Sequence, residues 1–197
     1  MNSKDCSEIL VARSTAEIDS AYEKLSAASA LGCDTETNSL SARRGRLLSV
    51  QFSDGEFSVL IPVSEGAALG ALANILENPR ITKIFHNSKF DLEFLRENGY
   101  TVANFFDTMI AEKVLTRGAD QSVSLAETLY RYFAVDLDKS LRATFTDKNW
   151  DGVWTNELIE YALADVVYLP ELRREQEVWL ERLNLKSVYE KLIQKQI

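Results

Sequence analysis

The segment that begins at Cys33 carries two acidic side chains whose spacing could serve cation binding or proton transfer. Asp34 and Glu36 lie two residues apart in a stretch that is predicted to form a strand over 31–37. Because successive strand side chains alternate between faces, the two carboxylates would share one face and Cys33 would point to the other. Two buried acids on one face need a cation to neutralise them, whereas a solvated strand end would leave them exposed. This segment alone leaves both interpretations open.

A second segment places an amide and an acid at the start of a predicted helix. Asn87 and Asp91 follow the apolar run 81–85, which is typical of a short buried strand. Spaced four residues apart, they would lie on one helix face in the first turn, with Ser88 as the expected N-cap. Asp91 could bind a cation, or it could simply interact favourably with the helix dipole. His86, the only histidine of the chain, is expected to have a structural role.

The third segment lies in a helical pattern that is predicted to run over 155–183. Tyr161 and Asp165 are four residues apart and therefore share one face of that helix. Small and apolar residues surround Asp165, and the alanines among them would let the helix lie close to a sheet. An exposed acid on an amphipathic helix is the alternative, and this segment taken alone favours it.

Taken together and in order, the three segments resemble the three exonuclease motifs of the DEDD superfamily of 3′–5′ exonucleases. The motifs are Asp-x-Glu on a strand, Asn-x-x-x-Asp after a strand and Tyr-x-x-x-Asp late in a helix. The resemblance extends from about Asp34 to Leu172, and it is about equal to ribonuclease D and to the proofreading domain of family A DNA polymerases. The other subtype of the superfamily has a histidine five residues before the last aspartate. That position is Glu160 here, so the chain resembles the tyrosine subtype.

This resemblance implies a catalytic set of four acids and one tyrosine. The implied catalytic residues are Asp34, Glu36, Asp91, Tyr161 and Asp165, of which the four acids would hold two divalent cations, Mg²⁺ or Mn²⁺. Asp34 would contact both ions, with Glu36 and Asp165 completing the first site. Asp91 would hold the second ion, and Tyr161 would orient the attacking water. The implied products are nucleoside 5′-monophosphates released from a 3′ end.

Four residues near the first two motifs are expected to bind the substrate. They are Asn38, Leu40, Asn87 and Lys89. By resemblance, Leu40 would wedge against the terminal base, although a core residue after a turn is the alternative. Asn87 and Lys89 could reach the scissile phosphate or its neighbour.

Basic and aromatic residues elsewhere could also meet nucleic acid. Arginines cluster over 43–46, and Lys139, Arg142 and Lys148 precede the last predicted helix. Either group could contact the sugar–phosphate backbone, although solvated loops are the alternative. Aromatic side chains at 145 and 150 could stack on bases or could cover an edge of the core.

The elements that must position these residues follow from the hydrophobic pattern. Strands are predicted over 31–37, 47–52, 57–63 and 81–85, with a hairpin at Asp54-Gly55. Helices are predicted over 14–30, 67–77, 88–98, 106–115, 124–133 and 155–183. This order predicts an α/β fold: a ribonuclease H-like mixed sheet, antiparallel in its first strands and then parallel, flanked by helices.

Length and composition bound the class of protein. The 197 residues show no repeat or linker, so we expect a single exonuclease domain over 1–197. The net charge of −8 argues against binding nucleic acid through a broad basic field, but not against reaching phosphates through metal ions. No apolar run approaches the roughly 20 residues of a membrane span, and the polar N-terminus lacks a signal peptide. Cys6 and Cys33 suggest neither a metal site nor a disulfide, and Cys33 is expected to be a small buried residue. A cytoplasmic protein without membrane contact is therefore predicted.

Other functions stay open from the sequence. A catalytically silent module on the same fold, which binds nucleic acid or a partner, would have no chemical need for four mutually repelling acids. A structure-specific endonuclease on a related scaffold is disfavoured by the Tyr-x-x-x-Asp element. The substrate would be the 3′ end of single-stranded RNA, slightly favoured, or of DNA. A homodimer contact through 155–183 or 186–197, or an accessory protein, also stays open.

Overall fold

A six-stranded mixed sheet forms the centre of the protein, whose computed structural model describes residues 8–117 and 119–196. The strands are β1 (Glu8–Val11), β2 (Ala30–Thr37), β3 (Leu47–Ser53), β4 (Phe57–Ile61), β5 (Thr82–Phe85) and β6 (Phe105–Asp107). Their order in the sheet is β1-β4-β3-β2-β5-β6. Antiparallel pairing joins β2, β3 and β4, whereas β1 pairs parallel with β4, and β5 and β6 extend the sheet in parallel from β2. The predicted fold class is confirmed.

Eight α-helices are found in the described part of the chain. They are α1 (Thr15–Leu25), α2 (Ala73–Glu77), α3 (Ser88–Glu97), α4 (Thr108–Leu115), α5 (Leu125–Phe133), α6 (Asn156–Val167), α7 (Leu169–Arg182) and α8 (Lys186–Ile193). Short 3₁₀ turns occupy 63–65, 70–72, 140–146 and 194–196. Among the described residues, none of the helices is both long enough and apolar enough to cross a membrane. The predictions for the N-terminal segment and Cys6 fall outside the described residues.

Several predicted helix boundaries were wrong. The continuous helix over 155–183 is broken at Tyr168, and Pro170 lies in the first turn of α7, where its missing N–H group removes no helical hydrogen bond. The helix predicted over 14–30 ends at Leu25, and only 73–77 of the helix predicted over 67–77 is α-helical. The helix predicted over 106–115 begins only at Thr108. Phe106 and Asp107 belong to β6 instead, where they pair with β5.

Two apolar layers hold the helices against the two faces of the sheet. On one face, α1, α2 and α3 pack on a layer that includes Leu31 and Cys33 of β2. Cys33 is 1% exposed, which confirms the expectation of a small buried residue. On the other face, α4 to α8 pack on a layer that includes Leu60 of β4 and Ile84 of β5. The side chains of β2 that alternate with Leu31 and Cys33 therefore face α6 and α7.

Candidate active site

An open cleft of about 430 Å³ lies beyond the carboxyl ends of β2 and β5. These two strands are parallel neighbours, so the residues that follow each of them meet at one edge of the sheet. The residues that line the cleft include Asp34, Glu36, Leu40, Asn87, Asp91, Lys139, Arg142, Phe145, Tyr161 and Asp165. The fold thus brings all three sequence motifs to one place.

The first two acids come from β2 and share one face, as the alternation of the strand predicts. Asp34 and Glu36 are half-buried, and in register they lie opposite Gln51 and Ser49 of β3, both of which are wholly buried. The Gln51 amide donates a hydrogen bond to the Ser49 hydroxyl at 2.6 Å. The sheet is therefore polar beneath the two carboxylates, and a register irregularity follows Glu36 directly.

The third acid comes from α6, which lies unusually close to the sheet. A Cβ atom on Gly32 would lie only 2.3 Å from the Val166 carbonyl oxygen, so only glycine allows this approach. The approach brings Asp165 to β2, where one carboxylate oxygen each of Asp34, Glu36 and Asp165 lies within 4.8 Å of the others. Tyr161, one helical turn earlier, lines the same cleft.

Asp91 reaches the cleft from the opposite face of the sheet, on the first turn of α3. It is 2% exposed, and its Oδ1 accepts a hydrogen bond from the Thr35 hydroxyl at 2.7 Å. Among the described residues, Asp91 is not part of the group of three acids that fall within 4.8 Å. The prediction that Ser88 caps this helix was wrong, because Asn87 occupies the N-cap position in the left-handed region at φ 76°.

The four acids are electrostatically unfavourable when all are ionised. Burial, followed by repulsion from the neighbouring carboxylates, raises the pKa of Asp34 well above its usual range and that of Glu36 to about 8. Burial likewise raises the pKa of Asp91 to about 7, and it raises the pKa of Asp165. Near neutral pH, the cluster therefore requires either bound protons or a cation.

One lysine supplies part of that positive charge. The Lys139 ammonium donates a hydrogen bond to the Asp165 carboxylate and lies 5.3 Å from the centre of the Tyr161 ring. From its place in the sequence, Lys139 was expected only as a possible contact for the nucleic-acid backbone. The 26 residues that separate Lys139 from Asp165 carry no local signal for their ion pair.

The donor set fits a hard divalent cation. Asp34, Glu36 and Asp165 offer carboxylate oxygens alone, and these are the ligands that Mg²⁺ and Mn²⁺ prefer over zinc. Lys139 and Arg142 carry two positive charges beside four acids, which leaves negative charge for a cation to neutralise.

Tyr161 is held by an aromatic cluster at the back of the cleft. Tyr161 is 8% exposed, and its ring lies 5.9 Å from the ring of Phe145, which in turn contacts Trp150 and Trp154. Burial raises the pKa of Tyr161, so its hydroxyl stays protonated and can donate a hydrogen bond. Phe145 is 2% exposed, which agrees with its alternative role of covering an edge of the core.

His86 has the structural role that was expected. Its Nε2 lies 2.9 Å from the Val123 carbonyl oxygen, which can only accept, so Nε2 carries the proton. Burial lowers the pKa of His86 to about 4, which keeps the ring neutral. The Thr108 hydroxyl lies 2.8 Å from Nδ1 and 3.0 Å from the Phe85 carbonyl oxygen, so its one proton is shared between these two acceptors.

Of the four residues expected to bind substrate, two line the cleft and two are not among its described lining residues. Leu40 is 83% exposed at the rim of the cleft, so its alternative as a core residue was wrong. Asn87 is exposed and lines the cleft, whereas Asn38 and Lys89 are not found among the described residues that line it. The Asn38 Oδ1 instead accepts a hydrogen bond from the Arg46 N–H at 2.7 Å, which closes the loop that carries Leu40.

Comparison with known proteins agrees with this arrangement. A family model described as 3′–5′ exonuclease matches residues 11–178. Ribonuclease D from Bartonella henselae is 33% identical over 129 residues, which cover 64% of this chain and 30% of that protein. The chain spans about a third of the length of the ribonuclease D relatives that it matches.

Solved structures show the same fold. Brucella melitensis NrnC with bound Mg²⁺ is 31% identical with a TM-score of 0.75, over 86% of this chain and 82% of that one. Another structure of NrnC contains pGG. Escherichia coli RNase D, described as an exoribonuclease involved in structured RNA processing, is 27% identical with a TM-score of 0.81, over 96% of this chain and 50% of that one.

Proposed function

The chain belongs to the 3′–5′ exonuclease family, and we propose that it hydrolyses phosphodiester bonds from the 3′ end of nucleic acid and releases nucleoside 5′-monophosphates. The observation that carries this proposal is the convergence of Asp34, Glu36 and Asp165 within 4.8 Å, in a cleft that also contains Asp91 and Tyr161. One exonuclease domain carries the activity.

Two divalent cations, Mg²⁺ or Mn²⁺, are the proposed cofactors. Asp34, Glu36 and Asp165 would hold the first ion, and Asp34 with Asp91 would hold the second. When bound, the ions would acidify the attacking water and neutralise negative charge that develops on the phosphate. The raised pKa values of the acids support this assignment, because a cation removes the repulsion that disfavours their ionised forms.

The remaining residues of the cleft bind and orient the substrate. The protonated Tyr161 hydroxyl orients the attacking water through a hydrogen bond. Leu40 projects from the rim, where an exposed apolar side chain can wedge against the terminal base. Asn87 lines the cleft and contacts the phosphate, whereas Asn38 and Lys89 act at the rim, through the Leu40 loop and the start of α3.

The 3′ end of a single-stranded RNA is the slightly favoured substrate, and DNA is the other. The ribonuclease D relatives and the RNase D structure support RNA. The volume of the cleft lies in the range of small-ligand pockets, about 300–1,000 Å³, which suits terminal nucleotides. The net charge of −8 disfavours contact with a long strand unless a partner protein adds positive charge. A reducing cytoplasm suits the free, buried Cys33.

Digestion of matched 5′-labelled single-stranded RNA and DNA, with Mg²⁺, Mn²⁺ or EDTA, tests this function. We expect a metal-dependent ladder of 3′-shortened products, absent with Asp34→Asn and unchanged with Asp19→Asn, a control on the exposed face of α1. A 5′-phosphorylated dinucleotide and a circular strand complete the substrate set.

Each outcome has a defined meaning for the proposal. Failure to cleave any substrate with either metal would reject it in favour of a silent module that binds nucleic acid or a partner. Cleavage of the circular strand would instead identify an endonuclease. The relative rates on RNA and DNA decide which sugar the site prefers.

A further inference from the structure

Asp107, the last residue of β6, is a buried carboxylate that accepts hydrogen bonds from the starts of two helices. Its Oδ1 accepts from the N–H groups of Met109 and Ile110 in α4, at 2.9 and 3.1 Å, and from that of Asn87 at 3.2 Å. Its Oδ2 accepts from both the N–H and the hydroxyl of Ser88, each at 2.7 Å. One side chain, 1% exposed, therefore completes the first turns of both α4 and α3.

The α3 helix depends on this acceptor because its own N-cap residue does not cap it. Asn87 occupies the N-cap position, but its side chain caps none of the described N–H groups of α3. Asparagine adopts the left-handed backbone more readily than most residues other than glycine, so the direction of this turn is set by the hydrogen bonds that the neighbouring N–H groups make. The hydrogen bonds from Asn87 and Ser88 to Asp107 provide that constraint.

The position of Asp91 follows from the start of α3. Asp91 lies three residues after Ser88, on the first turn of the helix, and its second anchor is the Thr35 hydroxyl at 2.7 Å. Asn87 and Asp91 both line the cleft. Two residues of the candidate site therefore depend on a turn that Asp107 holds.

Asp107 is itself held from behind by the C-terminal helix. Its N–H group donates a hydrogen bond to the Tyr189 hydroxyl at 2.9 Å, and Tyr189 is 6% exposed on α8. The ring of Phe106 lies 4.7 Å from the ring of Tyr189. These contacts connect α8 to the end of β6 and fix the backbone position of Asp107.

We infer that Asp107 is a positioning residue for the exonuclease reaction. Its carboxylate holds the turn between β5 and α3 so that Asp91 meets its cation and Asn87 meets the phosphate. Asp107 is almost wholly buried, so it acts through the residues that it holds. This inference rests on the proposed function.

Asp107→Asn tests this role, because an amide keeps one acceptor oxygen and replaces the other with a donor. With the oxygen towards Met109 and Ile110, that oxygen still accepts from Asn87, but the NH₂ group meets the N–H of Ser88, and the hydrogen bond that holds the first residue of α3 is lost. We expect kcat to fall about 10- to 100-fold while KM changes less than about threefold. Calorimetric titration with Mn²⁺ should show one binding step weakened about tenfold.

Two further variants separate positioning from general destabilisation. Ser88→Ala removes one donor to the same carboxylate and should produce a smaller change of the same kind. Ser14→Ala removes the side-chain cap of α1, far from the cleft, and should lower the melting temperature without changing kcat or the Mn²⁺ titration.

The outcomes distinguish this inference from the proposed function. The positioning role alone would be overturned if the wild-type protein is active but Asp107→Asn and Ser88→Ala show the same kcat and the same Mn²⁺ titration as Ser14→Ala. Inactive wild-type protein would reject the proposed function, and the Mn²⁺ titration of Asp107→Asn would then decide the positioning role. Wild-type protein that neither cleaves nor binds Mn²⁺ would overturn both.

Discussion

Replacing Glu36 with glutamine should stabilise the metal-free protein at alkaline pH. Burial and neighbouring carboxylates raise the pKa of Glu36 to about 8, compared with about 4.5 in an unfolded chain. Between these two pH values the unfolded chain releases a proton that the folded protein retains, so the free energy of unfolding falls as pH rises. Glutamine has no charge to desolvate and should be free of this loss.

The size of the effect follows from the same shift. A carboxyl group with these two pKa values would cost the native state about 5 kcal/mol above pH 8. Glu36 is half-buried beside an open cleft, where solvent screens its charge, so we expect about half of that cost. Between pH 5.5 and 9, the wild-type protein should therefore lose about 2 kcal/mol more unfolding free energy than Glu36→Gln.

Urea unfolding in EDTA at pH 5.5, 7.5 and 9, followed by circular dichroism, measures this difference. The exposed Glu97→Gln variant controls for loss of one surface charge. Adding Mg²⁺ or Mn²⁺ should flatten the pH dependence of the wild-type protein, because a cation that binds only the native state stabilises it. Equal pH dependence in wild type and Glu36→Gln, or a less stable variant at pH 9, would refute the reasoning.

Three further substitutions test other parts of the site. Tyr161→Phe keeps the ring packing but removes the hydroxyl, so kcat should fall about 100-fold with little change in the circular dichroism melting temperature. Leu40→Ala should leave stability within about 0.5 kcal/mol, because the side chain is 83% exposed, but should raise KM for 3′ ends in steady-state assays. Gly32→Ala should lower both stability and kcat, because its Cβ would force the Val166 carbonyl and α6 away from β2; unchanged activity would contradict the close approach.

Local patterns account for the elements that were predicted well. The bounds of β2, β3 and β4 agree with prediction within two residues. Apolar runs and the Asp54-Gly55 turn are local patterns, formed by residues that are close together in the sequence. The short strands β1 and β6 were not predicted, because three or four residues carry too little periodicity and become strands only by pairing with β4 and β5. The break between α6 and α7 at Tyr168 was not predicted, because the apolar pattern continues from one helix into the next.

The sequence by itself determined which acids are available and their local geometry. Asp34 and Glu36 share a face because strand side chains alternate, and Tyr161 and Asp165 share a face because a helix repeats every 3.6 residues. Oxygen-rich motifs of this kind already predict a site for hard cations.

Only the tertiary structure decided how these motifs meet and what holds them. Thr35 donates to Asp91 across 56 residues, and Lys139 pairs with Asp165 across 26. Asp107 accepts from two helices that lie on opposite faces of the sheet. Such contacts depend on where the sheet places segments that are distant in the chain, and no local periodicity encodes that placement.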